Sequence, residues 1–379
     1  MKKLIVLTLT VLMVLSLVAP SIASAGTTSV EINVGENVPI VKAKWEQLKC
    51  DPYDDDLIAP GLQVYPPLAA GAKRAIEYYA VVTHEAGVDN IMRVDADVYH
   101  PVGSPEPYGP SVMGGVVRMP YFKYELPLEY CCTGDQAEAL VTIAHDRNLI
   151  TFNEGYDIYE VLGELDKGTA ELWVGCAPID YEQPAGDYKV YVYAADQIDL
   201  SEPLMNTWTY VPMCGVEVDF IGIDFGPTNL SVEKMIAGDT IWNNPKDINN
   251  ATVRNVGNTW TSITVEFDDM QFGHLMDGTW NVQFDARMGN DNAYKEDNIM
   301  PFETRELTNA LNLSSKDELD FSIKVLKGTG SHTGEMTISC IPVYPFDNLP
   351  SPYSVNDIVG IDATGDYTPQ PNPCVDEPE

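Results

Sequence analysis

The chain has 379 residues, enough for two domains at about 100–200 residues each. It carries 57 acidic and 22 basic residues, which give a formal net charge of −35. This charge excludes a nucleic-acid-binding protein, because such a protein needs a basic surface. A saline exterior, a cation-binding surface and solubility alone would each account for the acidity.

The first 25 residues predict a secretion signal. Lys2 and Lys3 form a basic start, residues 4–19 are apolar, and Ala23 and Ala25 frame a small-residue cleavage site. A membrane anchor is the alternative, but the apolar run is shorter than the ~20 residues of a spanning helix. We therefore expect cleavage, secretion and no membrane anchor in the mature chain.

Residues 26–215 are predicted to form a first domain of mostly β structure. Alternating apolar and polar residues, separated by Gly and Pro turns, predict its strands. One helix is expected at 135–148, where Ala137, Leu140, Val141 and Ala144 share a face and Thr133 or Asp135 can cap the start. The predicted strands cover residues 75–84, 92–100, 116–128, 169–177, 187–195 and 207–211.

A Gly-Asp turn before Tyr188 resembles the tyrosine corner of Ig-like sandwiches, in which the phenol binds the backbone of the corner. The alternation then places Tyr188, Val190 and Val192 toward the core. An exposed Tyr on an ordinary strand is the competing interpretation. The Cys that follows such a Tyr in antibody domains is missing here.

Residues 216–341 are predicted to form a second β domain, in which residues 251–267 read as a hairpin. Gly257 would take a positive φ in the turn, Ile263 would face the core and Trp260 the solvent. The run from Asn255 to Thr259 resembles the N-x-G-N-T turn of Ig-like modules on microbial surface proteins. The other predicted strands cover residues 218–225, 280–288, 319–325 and 334–340, the last two as a closing pair.

Residues 342–379 differ in composition, with eight prolines, seven acidic residues and no Lys or Arg. This predicts an extended acidic tail with one short strand at 357–361. Such a segment can add to the sheet edge of a neighbouring subunit. A tail that only keeps the protein soluble is the alternative.

Seven cysteines behind a secretion signal predict disulfides, with pairing inside residues 50–214 for the first five. The odd number leaves one cysteine for another role or another chain. A metal site at the adjacent pair is the weaker alternative, because zinc ligands are usually two residues apart. The cysteines are Cys50, Cys131, Cys132, Cys176, Cys214, Cys340 and Cys374. Three N-glycosylation sequons begin at Asn229, Asn250 and Asn312.

No known catalytic motif is present, so we expect no enzyme and no catalytic residue. His84 and His100 would form a two-histidine site if their strands paired. The acidic run with Asp51, Asp54, Asp55 and Asp56 is a candidate calcium site, and no other cofactor is expected. Tyr121, Phe122 and Tyr124 are candidates for an aromatic platform that binds polysaccharide, with packing in the core as the competing interpretation.

The predicted fold is all-β, with two tandem Ig-like sandwiches, one inserted helix and an acidic Pro-rich tail. With its turn motifs, the chain resembles the secreted cell-envelope proteins of archaea, especially methanogens. This resemblance implies an extracellular structural subunit of a sheath, surface layer or filament, whose partners are copies of itself or other envelope proteins. A polysaccharide-binding module or adhesin is the second hypothesis. A secreted hydrolase is the third, and it would need two acids that converge in one cleft.

Overall fold

The computed structural model describes residues 38–49, 61–101, 123–181, 183–289, 298–343 and 362–363. In this part of the chain the fold is mostly β, as predicted, with two short helices. Two large hydrophobic cores form, one from side chains between Val41 and Tyr210 and one from side chains between Cys214 and Cys340. The predicted signal, residues 1–25, lies outside the described residues.

The first core lies inside one nine-stranded sheet that folds back on itself. The strands follow each other across the sheet in the order β2-β9-β8-β4-β5-β7-β3-β1-β6, and β1 also packs face to face against β8 and β9. The sheet therefore encloses its core as a sandwich. The strands are β1 (Ile40–Leu48), β2 (Gln63–Val64), β3 (Lys73–Thr83), β4 (Arg93–Tyr99), β5 (Lys123–Cys132), β6 (Thr151–Phe152), β7 (Ala170–Asp180), β8 (Gly186–Ala195) and β9 (Leu204–Tyr210).

The predicted helix exists as α1 (Asp135–Asp146), and its apolar face is buried as expected. The predicted side-chain cap is wrong: Gly134 occupies the N-cap and no side chain caps this helix. A second helix, α2 (Ile158–Asp166), was not predicted. The Asp157 carboxylate caps it by accepting hydrogen bonds from the backbone N–H groups of Tyr159 and Glu160.

The predicted corner at Tyr188 is confirmed. Its buried hydroxyl donates a hydrogen bond to the Pro184 carbonyl oxygen, four residues upstream, at 2.9 Å. Val190 and Val192 are buried on the same face of β8, and the Tyr188 ring stacks on Trp208 with centroids 4.3 Å apart. The corner thus fixes the turn before β8 to the core.

The second core lies between two sheets. The larger sheet has the order β12-β18-β14-β10-β20, with β16 on the other side of β18, and the smaller one has the order β17-β15-β19. A short parallel pair, β11 with β13, completes this half. The strands are β10 (Val216–Val218), β11 (Phe220–Gly222), β12 (Glu233–Ile236), β13 (Asp247–Ile248), β14 (Thr252–Asn255), β15 (Trp260–Phe267), β16 (Val282–Met288), β17 (Arg305–Leu311), β18 (Lys316–Val325), β19 (Met336–Val343) and β20 (Asp362–Ala363).

The predicted hairpin at 251–267 is wrong, although both of its strands exist. β14 pairs with β10 and β18, whereas β15 pairs with β17 and β19, so the chain crosses from one sheet to the other. Gly257 has no positive φ among the described backbone conformations. Glycine is needed for close approach instead, because a Cβ there would lie 2.5 Å from the Met213 carbonyl oxygen and 2.6 Å from the Gly215 nitrogen.

Three further expectations for this half need correction. The predicted closing pair, β18 and β19, also divides between the two sheets. The opening strand breaks at Asp219, whose buried carboxylate accepts hydrogen bonds from the backbone N–H groups of Asn243 and Thr252. Ile263 is buried as predicted, but Ser262 and Thr264 on the opposite face of β15 are buried too. β15 is the middle strand of its sheet, and Trp260 and Glu266 on this second face are half-buried.

Asn258 fastens the crossover to the segment between the two cores. Its side chain donates to the Val211 carbonyl oxygen at 2.8 Å and accepts from the Met213 N–H at 2.8 Å. Its own carbonyl oxygen accepts from the Ala185 N–H at 2.9 Å. These three bonds link the crossover directly to the end of the first sandwich.

Candidate functional site

A cavity of about 910 Å³ opens between the two sheets of the second sandwich. One wall is the segment from β10 through β11, and the opposite wall is the start of β19. We call this cavity the inter-sheet groove. Its lining is mainly apolar and includes Val218, Phe220, Phe225, Phe267, Phe284 and Ile338.

The floor of the inter-sheet groove is continuous with the second core. The Phe267 ring from β15 stacks on the Phe284 ring from β16, with centroids 4.5 Å apart and planes at 8°. Phe225 and Ile338 pack against this core while remaining partly exposed, and Ile221 is 70% exposed. Apolar surface that a closed sandwich would bury therefore reaches solvent at the groove.

The inter-sheet groove lies next to the edges of β19 and β10. β19 pairs only with β15 among the described strands, so its other edge carries backbone groups that can accept a further strand. β10 pairs with β14 on one side. On its other side it takes β20 from the C-terminal tail.

β20 pairs in parallel with β10, with Asp362 opposite Val216 and Ala363 opposite Glu217. The predicted tail strand at 357–361 lies outside the described residues, directly before β20. The tail thus pairs with Val216 and Glu217 of β10, and the next residue of β10, Val218, lines the inter-sheet groove. Lys246, also in the lining, provides a positive charge there.

A pair of cysteines connects the segment before β10 with β19. Cys214 precedes β10 and Cys340 lies in β19, and their Sγ atoms are 2.6 Å apart in the second core. This corrects the assignment of Cys214 to the cysteines of the first domain.

The adjacent cysteines lie at a bulge of β5. The pairing of β5 with β7 shifts register between Tyr130 and Cys132, which brings the Cys131 and Cys132 Sγ atoms to 3.2 Å. Burial, and then the Cys131 thiol, raise the pKa of Cys132 to about 12. Cys176 is disulfide-bonded. Cys50 and Cys374 lie outside the described residues.

The two histidines form no shared site, because the strands that precede them, β3 and β4, are not neighbours in the sheet. His84 Nε2 lies 3.1 Å from Asp196 Oδ2, and His100 Nε2 lies 2.8 Å from Gln183 Oε1. Within the described residues no group of three or more His, Cys, Asp or Glu side chains is arranged to hold a metal ion. The candidate calcium ligands Asp51, Asp54, Asp55 and Asp56 lie outside that part of the chain.

The sequon residues Asn229 and Asn250 are exposed, and Asn312 is half-buried. Tyr124 from the predicted aromatic platform packs against the first core, and its hydroxyl hydrogen-bonds that of Tyr78 at 2.7 Å. Tyr121 and Phe122 are not among the described residues. No helix in the described ranges has the length and apolar character that a membrane span requires.

No protein-family model matches the chain, and no curated protein matches it. Among solved structures it is similar to the C-terminal domain of the AgI/II polypeptide BspA of Streptococcus agalactiae, with 10% identity, coverage of 78% of this chain and 95% of that one, and a TM-score of 0.22. It is also similar to a chaperone–tip adhesion subunit complex of the Csu pili of Acinetobacter baumannii (10% identity, 73% and 96% coverage, TM-score 0.26). A third similar structure is the C-terminal domain of the Streptococcus pyogenes antigen I/II-family protein AspA (11% identity, 79% and 96% coverage, TM-score 0.21). At these TM-scores the similarities assign the chain to no family.

Proposed function

We propose that the chain is a secreted structural subunit of a cell envelope of the archaeal type, in a sheath, surface layer or filament. Copies would assemble by strand addition, with the C-terminal tail of one copy bound along β10 and the inter-sheet groove of the next copy. In this proposal the chain has no catalytic role. Disulfides would make the assembled subunits more durable.

The observation that carries the proposal is the pairing of β20 with β10 at the edge of the groove. A tail strand on this edge satisfies backbone groups that would otherwise be exposed. In the proposed assembly, tail residues of the neighbouring copy that follow this pairing would cover apolar side chains of the groove such as Ile338. Exchange of an identical element between copies is a low-cost route to assembly, because the contacts are already those of the folded chain.

Charge opposes this assembly in the absence of cations. With a net charge of −35, neighbouring copies repel each other unless salt or divalent ions screen them. We therefore expect assembly to strengthen with ionic strength and with calcium. Calcium bound at Asp51, Asp54, Asp55 and Asp56 would add to this effect.

The test compares sedimentation of the mature chain with that of a chain truncated after Val343, with and without calcium. The truncation keeps all of β19. We expect large species from the mature chain at high concentration and salt, and monomers from the truncated one. Ile338→Lys should abolish assembly, whereas Ile198→Lys, at a position 87% exposed in the first sandwich, should not. A mature chain that stays monomeric under all conditions would refute the proposal.

An exposed aromatic cluster supports polysaccharide binding as a second candidate function. Trp280 contacts both Phe302 and His274, with ring centroids 5.7 Å and 5.4 Å away, and Phe302 is 58% exposed. Aromatic faces beside polar loops suit sugar rings. Loss of binding to isolated cell-wall polysaccharide in Trp280→Ala, with sedimentation unchanged, would favour this function over assembly.

A further inference from the structure

The first sandwich buries a lysine and a glutamate in contact with each other and with a half-buried asparagine. Lys44 and Glu46 project from the same face of β1, and their side chains are 0% and 1% exposed. Asn206 projects from β9, which lies near the other end of the sheet order. The three side chains meet where the folded sheet brings β1 against β9.

The hydrogen bonds in this triad link an amine to an amide through one carboxyl group. Lys44 Nζ contacts Asn206 Oδ1 and lies 2.7 Å from Glu46 Oε1. The Asn206 amide nitrogen donates to Glu46 Oε2 at 2.6 Å. The amine therefore contacts the oxygen of the Asn206 carbonyl group, and the Glu46 carboxyl group contacts both nitrogen atoms.

The surroundings shift the Lys44 amine toward its neutral form. Burial lowers the pKa of Lys44, an effect that the neighbouring Glu46 carboxylate partly opposes. The hydroxyl groups of Tyr78 and Tyr124 bond to each other nearby, and the Glu46 charge contributes to raising the pKa of both. A neutral, desolvated lysine is a nucleophile, and a buried site excludes competing water.

We propose that Lys44 and Asn206 become joined by an intramolecular isopeptide bond, with Glu46 transferring the proton. The Nζ lone pair attacks the Asn206 carbonyl carbon, and Glu46 Oε1 accepts the proton that Nζ releases. Glu46 then donates this proton to the amide nitrogen, the bond from the carbonyl carbon to that nitrogen breaks, and ammonia leaves. One amine and one primary amide thus give one secondary amide and one ammonia molecule, with no oxidant required.

The bond would join β1 to β9, strands that no backbone ladder connects. These strands lie near the beginning and the end of the first sandwich. A pulling force applied across this sandwich would then pass through a covalent bond instead of through the sheet. This inference does not depend on the proposed assembly function.

Mass spectrometry of the intact secreted chain, reduced and alkylated, tests the inference. We expect the mass to fall below the sequence mass by one ammonia molecule, and fragmentation to identify a peptide in which Lys44 is linked to Asn206. The fragment spectrum is essential, because a succinimide elsewhere also loses ammonia. A folded chain in which both residues are recovered on unlinked peptides would overturn the inference.

Glu46→Gln tests the role assigned to the carboxyl group. Glutamine keeps the size of the side chain but cannot carry the proton, so we expect the full mass and unlinked peptides. Lys44→Met serves as a second variant if Glu46→Gln does not fold, and a linked product at Asn206 in Lys44→Met would refute the assignment. Lys42→Met is the matched control, because Lys42 lies on the same strand but pairs with Glu164. It should retain the ammonia loss.

Discussion

Cys214 and Cys340 place their Sγ atoms 2.6 Å apart, and both side chains are buried in the second core. One precedes β10 and the other lies in β19, so the contact joins the two sheets of this sandwich. Thiols so close to each other are expected to oxidise in the extracellular setting that we propose. A disulfide here would link the two sheets covalently.

We predict that peptide mapping without reduction recovers Cys214 linked to Cys340. Replacing both with serine should lower the free energy of unfolding by about 2–4 kcal/mol, because the link restricts the unfolded chain. Denaturant unfolding with and without reductant measures this effect. The double variant is the control, since reductant should change its stability less than that of the native chain. Recovery of both residues as alkylated thiols would contradict the prediction.

Tyr188→Phe removes the hydroxyl that binds the Pro184 carbonyl oxygen and leaves the ring stacked on Trp208. We expect a loss of about 1 kcal/mol, and up to ~3 kcal/mol if the buried carbonyl finds no other donor. Urea unfolding of this variant should be compared with that of Tyr159→Phe. The Tyr159 side chain is 82% exposed, and its hydroxyl should contribute little. Equal effects would show that the corner bond does not stabilise the first sandwich.

Local sequence patterns predicted the strands better than their partners. The alternation through Tyr188, Val190 and Val192 gave the correct facing because it depends only on neighbours along the strand. The signal for α2 was also local, with Asp157 as cap and Val161 and Leu165 on one face, although it was not recognised. These features needed no knowledge of the tertiary fold.

The crossover after β14 could not be predicted in the same way. A Val-Gly-Asn turn is compatible with a hairpin and with a passage between sheets. The choice depends on contacts with Met213 and Gly215, some forty residues earlier in the chain. The triad of Lys44, Glu46 and Asn206 is still less visible, because its contact from β1 to β9 spans 162 residues.

Asp196 is expected to make the stability of the first sandwich depend on acidity. Hydrogen bonds from the backbone N–H groups of Asp199 and Ile198, and then the contact with His84, lower its pKa from 3.8 to about 2. A lowered carboxyl pKa stabilises the fold above the unfolded value, and this contribution disappears as the pH falls from about 4 to about 2. Asp196→Asn should therefore flatten the decline in melting temperature over that interval.

The control for this prediction is Asp166→Asn, at an exposed position at the end of α2. It should leave the shape of the pH profile unchanged. A profile of Asp196→Asn that stays parallel to that of the native chain between pH 4 and 2 would show that Asp196 does not contribute.

Gly257→Ala tests whether close approach explains the glycine in the crossover. An added Cβ would lie 2.5 Å from the Met213 carbonyl oxygen and 2.8 Å from the Cys214 Cα, and both are backbone atoms that cannot rotate away. We expect a loss of about 1–3 kcal/mol, the usual range for an overpacked site. Thermal unfolding followed by circular dichroism gives the measurement.

Gly163→Ala is the matched control for that substitution. Gly163 lies within α2, and an added Cβ there meets nothing within 4 Å. Alanine is the better helix former, so this variant should gain about 0.5–1 kcal/mol. The two variants make the same chemical change with opposite expected signs, because one glycine contacts distant backbone and the other faces open space. If Gly257→Ala is as stable as the native chain, the crossover has room for a side chain, and another cause must separate β14 from β15.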